Sequence, residues 1–520
     1  MKHNLLLGLA GILACSVLAA CYPSVADLAP ATPDKPWRPA EDKSLLEAMT
    51  STPSQDDHAV SKNADTQSGT APKFDLPSDS ALPYKHDEVP VDSGHIYSLP
   101  ELIDLAERSN PDTRIAWEQS RQAAFGVGLA QATYLPQLTG EILGGQEHTP
   151  LPIPKSLVSR GYFTADTDEI LPSLVIKWLL FDFGKRDAEV EAAKQASFAA
   201  NIAFTGAHQK LIFEVSKAYF ALDAERAQLH VAEDAVKSAK ILVDAADAKK
   251  KSGLGTVTDD VVSQQREAKA RFELEHAKAV DNDAYHSLLE AMGLTPTLKL
   301  RIADSAGRTL PKSLAEDVDT YIHRALSKRP DILAALAKLR ASEADISGAK
   351  ASYYPTLGFE GIVNQNIGSA SVDGGPTYRV NEPATAILLK LSLPLYDGGT
   401  RENMLGIARS KNAAAKEELS KAQDSAIRQV ARAYDTVKSA LAEYNAALAL
   451  VKASNTAYSA SFDSYRNGVG TFTTAVTAET EKAQAQSAQA NAYASVLTAA
   501  AALAFSTGEL TSTDALNNQP

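Results

Sequence analysis

The sequence predicts a mainly α-helical chain that carries four β-strands and is built as two copies of one plan. Three observations predict it. Leu102–Leu138 aligns with Tyr321–Leu357 at a constant offset of 219, and Leu180–Gly293 aligns with Leu395–Gly508 at 215, over 114 positions without a gap. Each copy holds one long stretch without proline, 173–295 and 395–519. Between the helical stretches lie short β-prone runs, among them Ser173–Leu180 and Ile387–Leu393. Composition narrows the function. With 2 cysteines in 520 residues, neither in a CxxC spacing, a disulfide scaffold and a zinc module are excluded. A net charge of −13 disfavours nucleic acid as a partner, because phosphate contacts need a basic face. The ten histidines form no HExxH pair.

From the N-terminus, Lys2 and His3 precede an apolar run, Leu5–Leu18, too short to span a bilayer as a mature helix. The run closes on Leu18-Ala19-Ala20-Cys21, which resembles a bacterial lipobox. That resemblance implies removal of a signal peptide 1–20, a diacylglyceryl thioether on Cys21 and N-acylation. The acyl chains would hold a membrane, since each buried methylene adds about 0.8 kcal/mol. Tyr22, in place of aspartate, fits sorting to an outer membrane. Residues 21–95 form an arm: ten of the 25 prolines fall in 22–95, among Ser, Asp, Thr and Lys. Such a segment buries too little apolar surface to offset its ordering entropy.

The first repeat occupies 96–300 and the second 301–511, with a tail at 512–520. In the first, Val215, Leu222, Leu229, Val236 and Val243 recur every seven residues; Val430, Val437, Tyr444, Val451 and Tyr458 do so in the second. These are coiled-coil seams in alanine-rich sequence. The helix expected over Lys185–Lys251 is about 100 Å long at 1.5 Å per residue. It breaks at Ser252-Gly253-Leu254-Gly255-Thr256 and resumes to Met292, and a further helix is expected over Asp112–Tyr134. A long helix is thus nearly matched by two shorter ones end to end.

Four strands are expected, at Gln137–Glu147, Leu171–Leu180, Thr356–Asn366 and Ala386–Leu395, each about 9–11 residues, the length of a membrane barrel strand. Four strands cannot close a barrel, which begins at eight. One chain must share its barrel with copies of itself.

The order of helix, hairpin and long coiled coil, repeated, resembles the TolC-like outer-membrane factor family. The matching motifs are Asn110-Pro111, Tyr134-Leu135-Pro136-Gln137-Leu138, Phe181-Asp182-Phe183-Gly184 and Tyr465-Arg466-Asn467-Gly468-Val469-Gly470-Thr471. The resemblance covers about 96–511. It implies a homotrimer with a 12-stranded outer-membrane β-barrel over a coiled-coil α-barrel in the periplasm. It also implies an export duct of a tripartite efflux or type I secretion system, fed by a periplasmic adaptor and an inner-membrane pump or ABC exporter, with no catalysis and no cofactor beyond the lipid on Cys21. Gly253, Leu254, Gly255 and Thr256, with Gly468, Val469, Gly470 and Thr471, match the tips that meet the adaptor. Asp259 and Asp260 match acids facing the pore constriction, and Tyr465 and Arg466 lie near positions that latch the closed state. The second tip has Thr473 and Thr474 in place of the acids, with Glu479 further on. The alternative is a periplasmic coiled-coil lipoprotein that forms no channel, an adaptor or spacer.

Overall fold

The computed structural model describes residues 29–30, 32–36, 91–305 and 310–510. The signal peptide, Cys21, most of the arm and the tail from 511 lie outside the described residues. The elements run β1 (Ile96–Tyr97), α1 (Leu99–Ser109), α2 (Pro111–Ala132), β2 (Gln137–Pro152), β3 (Tyr162–Phe181), α3 (Lys185–Lys251) and α4 (Val257–Met292). The second half follows with β4 (Arg301–Ile302), α5 (Val318–Lys328), α6 (Pro330–Ala351), β5 (Thr356–Val372), β6 (Tyr378–Ser392), α7 (Thr400–Arg466) and α8 (Phe472–Ser506).

Local chemistry sets the helix ends. Asn110 caps α2 by accepting from the Asp112 amide at 2.8 Å, and Pro111 takes the first helical position, where no N–H is missed. At the start of α3, Asp182 accepts from the Arg186 backbone N–H and from its Nε, both at 3.0 Å. Asp397 and Arg401 repeat that pair at the start of α7. Arg186 also donates to the Leu179, Leu180 and Thr133 carbonyls, so one buried guanidinium welds the sheet to the helices.

Both long helices have 67 residues, about 100 Å each. Helix α3 packs against α2, α4, α6 and α8, and α7 packs against α5, α6 and α8. In α7 the heptad is buried at Val430 and Val437, while Tyr444, Val451 and Tyr458 are half-buried and burial passes to Ala440, Ala447 and Ser454. In α3 it is likewise buried only at Val215 and Leu222. Further along, Leu229, Val236 and Val243 are half-buried, and burial passes to Ala239, Leu242 and Ala246. An α-helix drifts about 20° per heptad against a strict seven-residue repeat, so the buried face moves round the helix. One core joins Leu102 and Ile103 of α1 to Val215, Tyr219 and Leu222 of α3 and to Leu288, Leu289 and Met292 of α4. Each such fully buried side chain contributes about 1.5–3 kcal/mol. A second core at the far end joins Leu242 and Ala246 to Tyr465, Phe472 and Ala475.

The four long strands form one antiparallel sheet in the order β2-β3-β5-β6. They have 16, 20, 17 and 15 residues, longer than the 9–11 expected. Register explains the difference. Residues directly opposite share a face, and one face carries Leu138, Ile142, Ile170, Leu174, Trp178, Val363, Ile387, Leu389 and Leu391, all exposed. The apolar stretch of β3 from Ile170 to Trp178 covers about 23 Å once tilted by some 40°. Past it the same face turns to Asp166, Asp168, His148, Ser369 and Arg379, yet the ladder continues. A hydrophobic pattern reports only the part of a strand that meets lipid. The opposite face carries Glu141, Glu147, Glu169, Lys177, Glu360, Asn364, Asn366, Glu382 and Lys390.

Candidate functional site

The end of the molecule farthest from the sheet is made by two helix reversals of the same design. At the first, the Gly253 N–H donates to Lys250 O at 3.0 Å and the Leu254 N–H to Lys249 O at 2.9 Å. At the second, Gly468 donates to Tyr465 O at 3.1 Å and Val469 to Ser464 O at 3.0 Å. This is the 5→2 and 6→1 pairing that ends a helix on a left-handed residue. Gly253 and Gly468 take φ of +77° and +79°, where a Cβ is strained. Gly255 and Gly470 are needed for a different reason. A Cβ at Gly255 would lie 2.8 Å from the Lys250 nitrogen, and one at Gly470 2.9 Å from Ser464 Cβ. Thr256 and Thr471 then cap the next helices, accepting from the Asp259 and Thr474 amides at 3.1 and 3.2 Å. The turns leave Leu254 and Val469 as bare apexes, 82% and 84% exposed.

The predicted gate residues separate into two groups. Asp260 is 6% exposed and turned into its own hairpin, where the Lys250 ammonium and Gln264 donate to it. Lys250 bonding holds its carboxyl below the ordinary aspartate range. It is therefore no free charge, and the expected pair of open carboxylates reduces to Asp259, which is half-buried. Tyr465 is buried against Phe472, and Lys249 of the other hairpin lies 4.1 Å from its ring centroid while donating to its backbone carbonyl. Burial, with the charge of Asp259 second, pushes the Tyr465 phenol up, so Asp259 and Tyr465 share one neighbourhood across the hairpins. Arg466 is exposed.

Two participants were not singled out by sequence, Lys249 and Arg266 of α4. Arg266 meets Glu479 of α8, the acid noted beyond the second tip and 213 positions away, through Nε at 3.0 Å and Nη2 at 2.6 Å to one carboxylate oxygen. Glu479 is 2% exposed, so it is a cross-hairpin tie and not a pore acid. Aromatic side chains gather where the sheet meets the helices. Trp178 donates to Tyr134 O at 2.8 Å, Phe183 stacks on Tyr354 at 5.3 Å, and Tyr396 stands exposed, as in a membrane-interface girdle.

A sheet with one apolar and one charge-bearing face, unpaired along both edge strands among the described residues and mounted on 100 Å helical pairs, defines a subunit of a membrane barrel set on a helical tunnel. Comparison with known proteins gives the class its family. The family described as "Outer membrane efflux protein" matches residues 102–294 and 321–509. Protein CyaE of Bordetella pertussis is 27% identical over 423 residues, covering 81% of this chain and 86% of that one. Outer membrane protein OprJ of Pseudomonas aeruginosa is 25% identical, covering 71% and 75%. The solved Campylobacter jejuni CmeC outer membrane channel superposes with a TM-score of 0.65 at 18% identity, over 81% of this chain and 87% of that one. The chain belongs to the outer membrane efflux protein family. Its place is the outer membrane, and it is an efflux channel.

Proposed function

We propose that three copies close a 12-stranded barrel and form a passive duct through the outer membrane and periplasm. One observation carries this reading: β2 and β6, of 16 and 15 residues, each pair on one side only among the described strands. Unpaired backbone groups cannot face lipid, so the edges must meet another copy's edges. Three copies supply 12 strands, an even number within the range of closed barrels. The charged face then lines the lumen and the apolar face meets lipid. Energy comes from an inner-membrane pump or ABC exporter acting through a periplasmic adaptor at the turns bearing Leu254 and Val469, whose exposed side chains and tight backbone suit a docking helix. The chain performs no catalysis and needs no cofactor, and Cys21 carries the lipid. The test is the protein mass in detergent by light scattering with refractive-index correction. About three chains support the duct, and a stable monomer refutes the shared barrel. The non-channel spacer has no use for a sheet with this pair of faces.

A further inference from the structure

The short described piece of the N-terminal arm is seated on the helical body by two side chains. Trp117 Nε1 of α2 donates to Pro30 O at 2.7 Å, and His208 Nε2 of α3 lies 3.1 Å from Pro33 O. The two carbonyls are three residues apart, and the sequence places prolines at 30, 33 and 36. Ala29 and Pro30 are buried there. The pocket is built for the task. Arg121 lies over the Trp117 ring at 4.7 Å, Phe204 sets its ring edge-on to His208, and Glu107 of α1 faces His208 Nδ1 at 3.1 Å. His208 and Glu107 are 1% and 4% exposed.

Both ring nitrogens of His208 therefore face oxygen acceptors. A neutral imidazole has one N–H and satisfies only one of them. Beside a buried carboxylate that proton belongs on Nδ1, which leaves the Nε2 lone pair against the Pro33 carbonyl. Both contacts stand together only when the His208–Glu107 pair holds one further proton, as imidazolium and carboxylate or as imidazole and carboxylic acid. We propose that this pocket is a proton-dependent clasp for the arm, locking when the pair takes up a proton and opening when it loses it. Arg121 carries its charge over the Trp117 ring, Arg114 stands one turn before Trp117 on the same helix, and Asp34 and Lys35 follow Pro33 in the arm. The seated state binds more protons than the released one, so seating weakens as pH rises.

The clasp lies within reach of the membrane. Cys21 and Pro30 are nine positions apart, a span of up to about 30 Å for an extended chain. Trp117 stands 15 residues before the end of α2, about 22 Å from the sheet. A lipid on Cys21 and a closed clasp would together set how the body hangs from the bilayer. That consequence rests on the lipid reading; the clasp itself does not.

The test is a nitroxide on Thr32→Cys, an exposed position, in the full-length assembly in detergent, with its mobility read by electron paramagnetic resonance from pH 5.5 to 8.5. The ratio of immobile to mobile label should fall with rising pH, by up to about tenfold per pH unit for one linked proton. His208→Gln should give a mobile label at every pH. Glu107→Gln should give an immobile label at every pH, because its amide donates to Nδ1 and frees the ring proton for Pro33. Trp117→Phe should raise mobility while keeping the pH slope. A wild-type ratio that does not change with pH, or a Glu107→Gln label as mobile as that of His208→Gln, overturns the clasp. Adding Cys21→Ala leaves these outcomes unchanged, so failure of the lipid reading and failure of the clasp are distinguished.

Discussion

Removing the carboxylate of Glu479 should loosen the far end of the tunnel by an amount that the geometry bounds. The carboxylate accepts two N–H bonds from Arg266 on the other hairpin and is almost wholly buried. Loss of a partner from a fully buried pair costs about 3–5 kcal/mol. Arg266 is 18% exposed and regains part of its hydration when freed, which places Glu479→Ala nearer about 2 kcal/mol. That corresponds to about 30-fold faster local opening, at 1.36 kcal/mol per decade. Amide hydrogen exchange over the first turns of α8 reads it directly. A double-mutant cycle with Arg266→Gln isolates the pair, with an expected coupling of about 1–2 kcal/mol. In planar bilayers the same variant should open more often, because the hairpins part more easily. A coupling under about 0.5 kcal/mol, within the additivity of independent sites, would show that the tie is incidental and that Lys249 and Tyr465 hold the hairpins alone.

The remaining predictions separate roles that the sequence had grouped. Asp259→Ala should lower cation preference in planar bilayers, whereas Asp260→Ala should leave it unchanged and loosen the turn; equal effects on selectivity would return Asp260 to the pore. Lys250 holds the Asp260 carboxyl below its ordinary value of 3.8, so that bond is present above this pH and lost as pH falls through the lowered value. Exchange in the Gly253 turn should accordingly rise under acid conditions, and Asp260→Asn should abolish that rise. Gly468→Ala forces a Cβ into φ of +79° and should destabilise the turn by about 1 kcal/mol, seen as faster exchange at Val469 and Gly470 with an intact barrel. Cys21→Ala should abolish labelling by a palmitate analogue while the trimer still inserts, and an unlabelled wild type would remove the lipid from the description.

The helical half of the architecture is written in short-range terms. A 67-residue helix needs only the absence of proline, capping pairs such as Asp182 with Arg186, and a Gly-x-Gly reversal, all of which act within a few residues. The duplication fixes the second helix once the first is known. The turns at Gly253 and Gly468 were legible for the same reason, since a left-handed position names its own residue. The strands were legible only over the nine or so residues that face lipid, where one face is apolar; beyond Ile170 both faces are polar, and only the ladder to β2 and β5 shows that pairing continues. Side-chain partnership across the repeats was not legible at all. Asp259 and Asp260 are neighbours of one chemical type, but helix geometry points them about 100° apart, so one meets Lys250 and the other turns toward Tyr465. Arg266 and Glu479 lie 213 positions apart, and His208 meets Pro33 at 175. Local propensity carries no information about which residues the packing of four helices brings together, and that choice belongs to the tertiary structure.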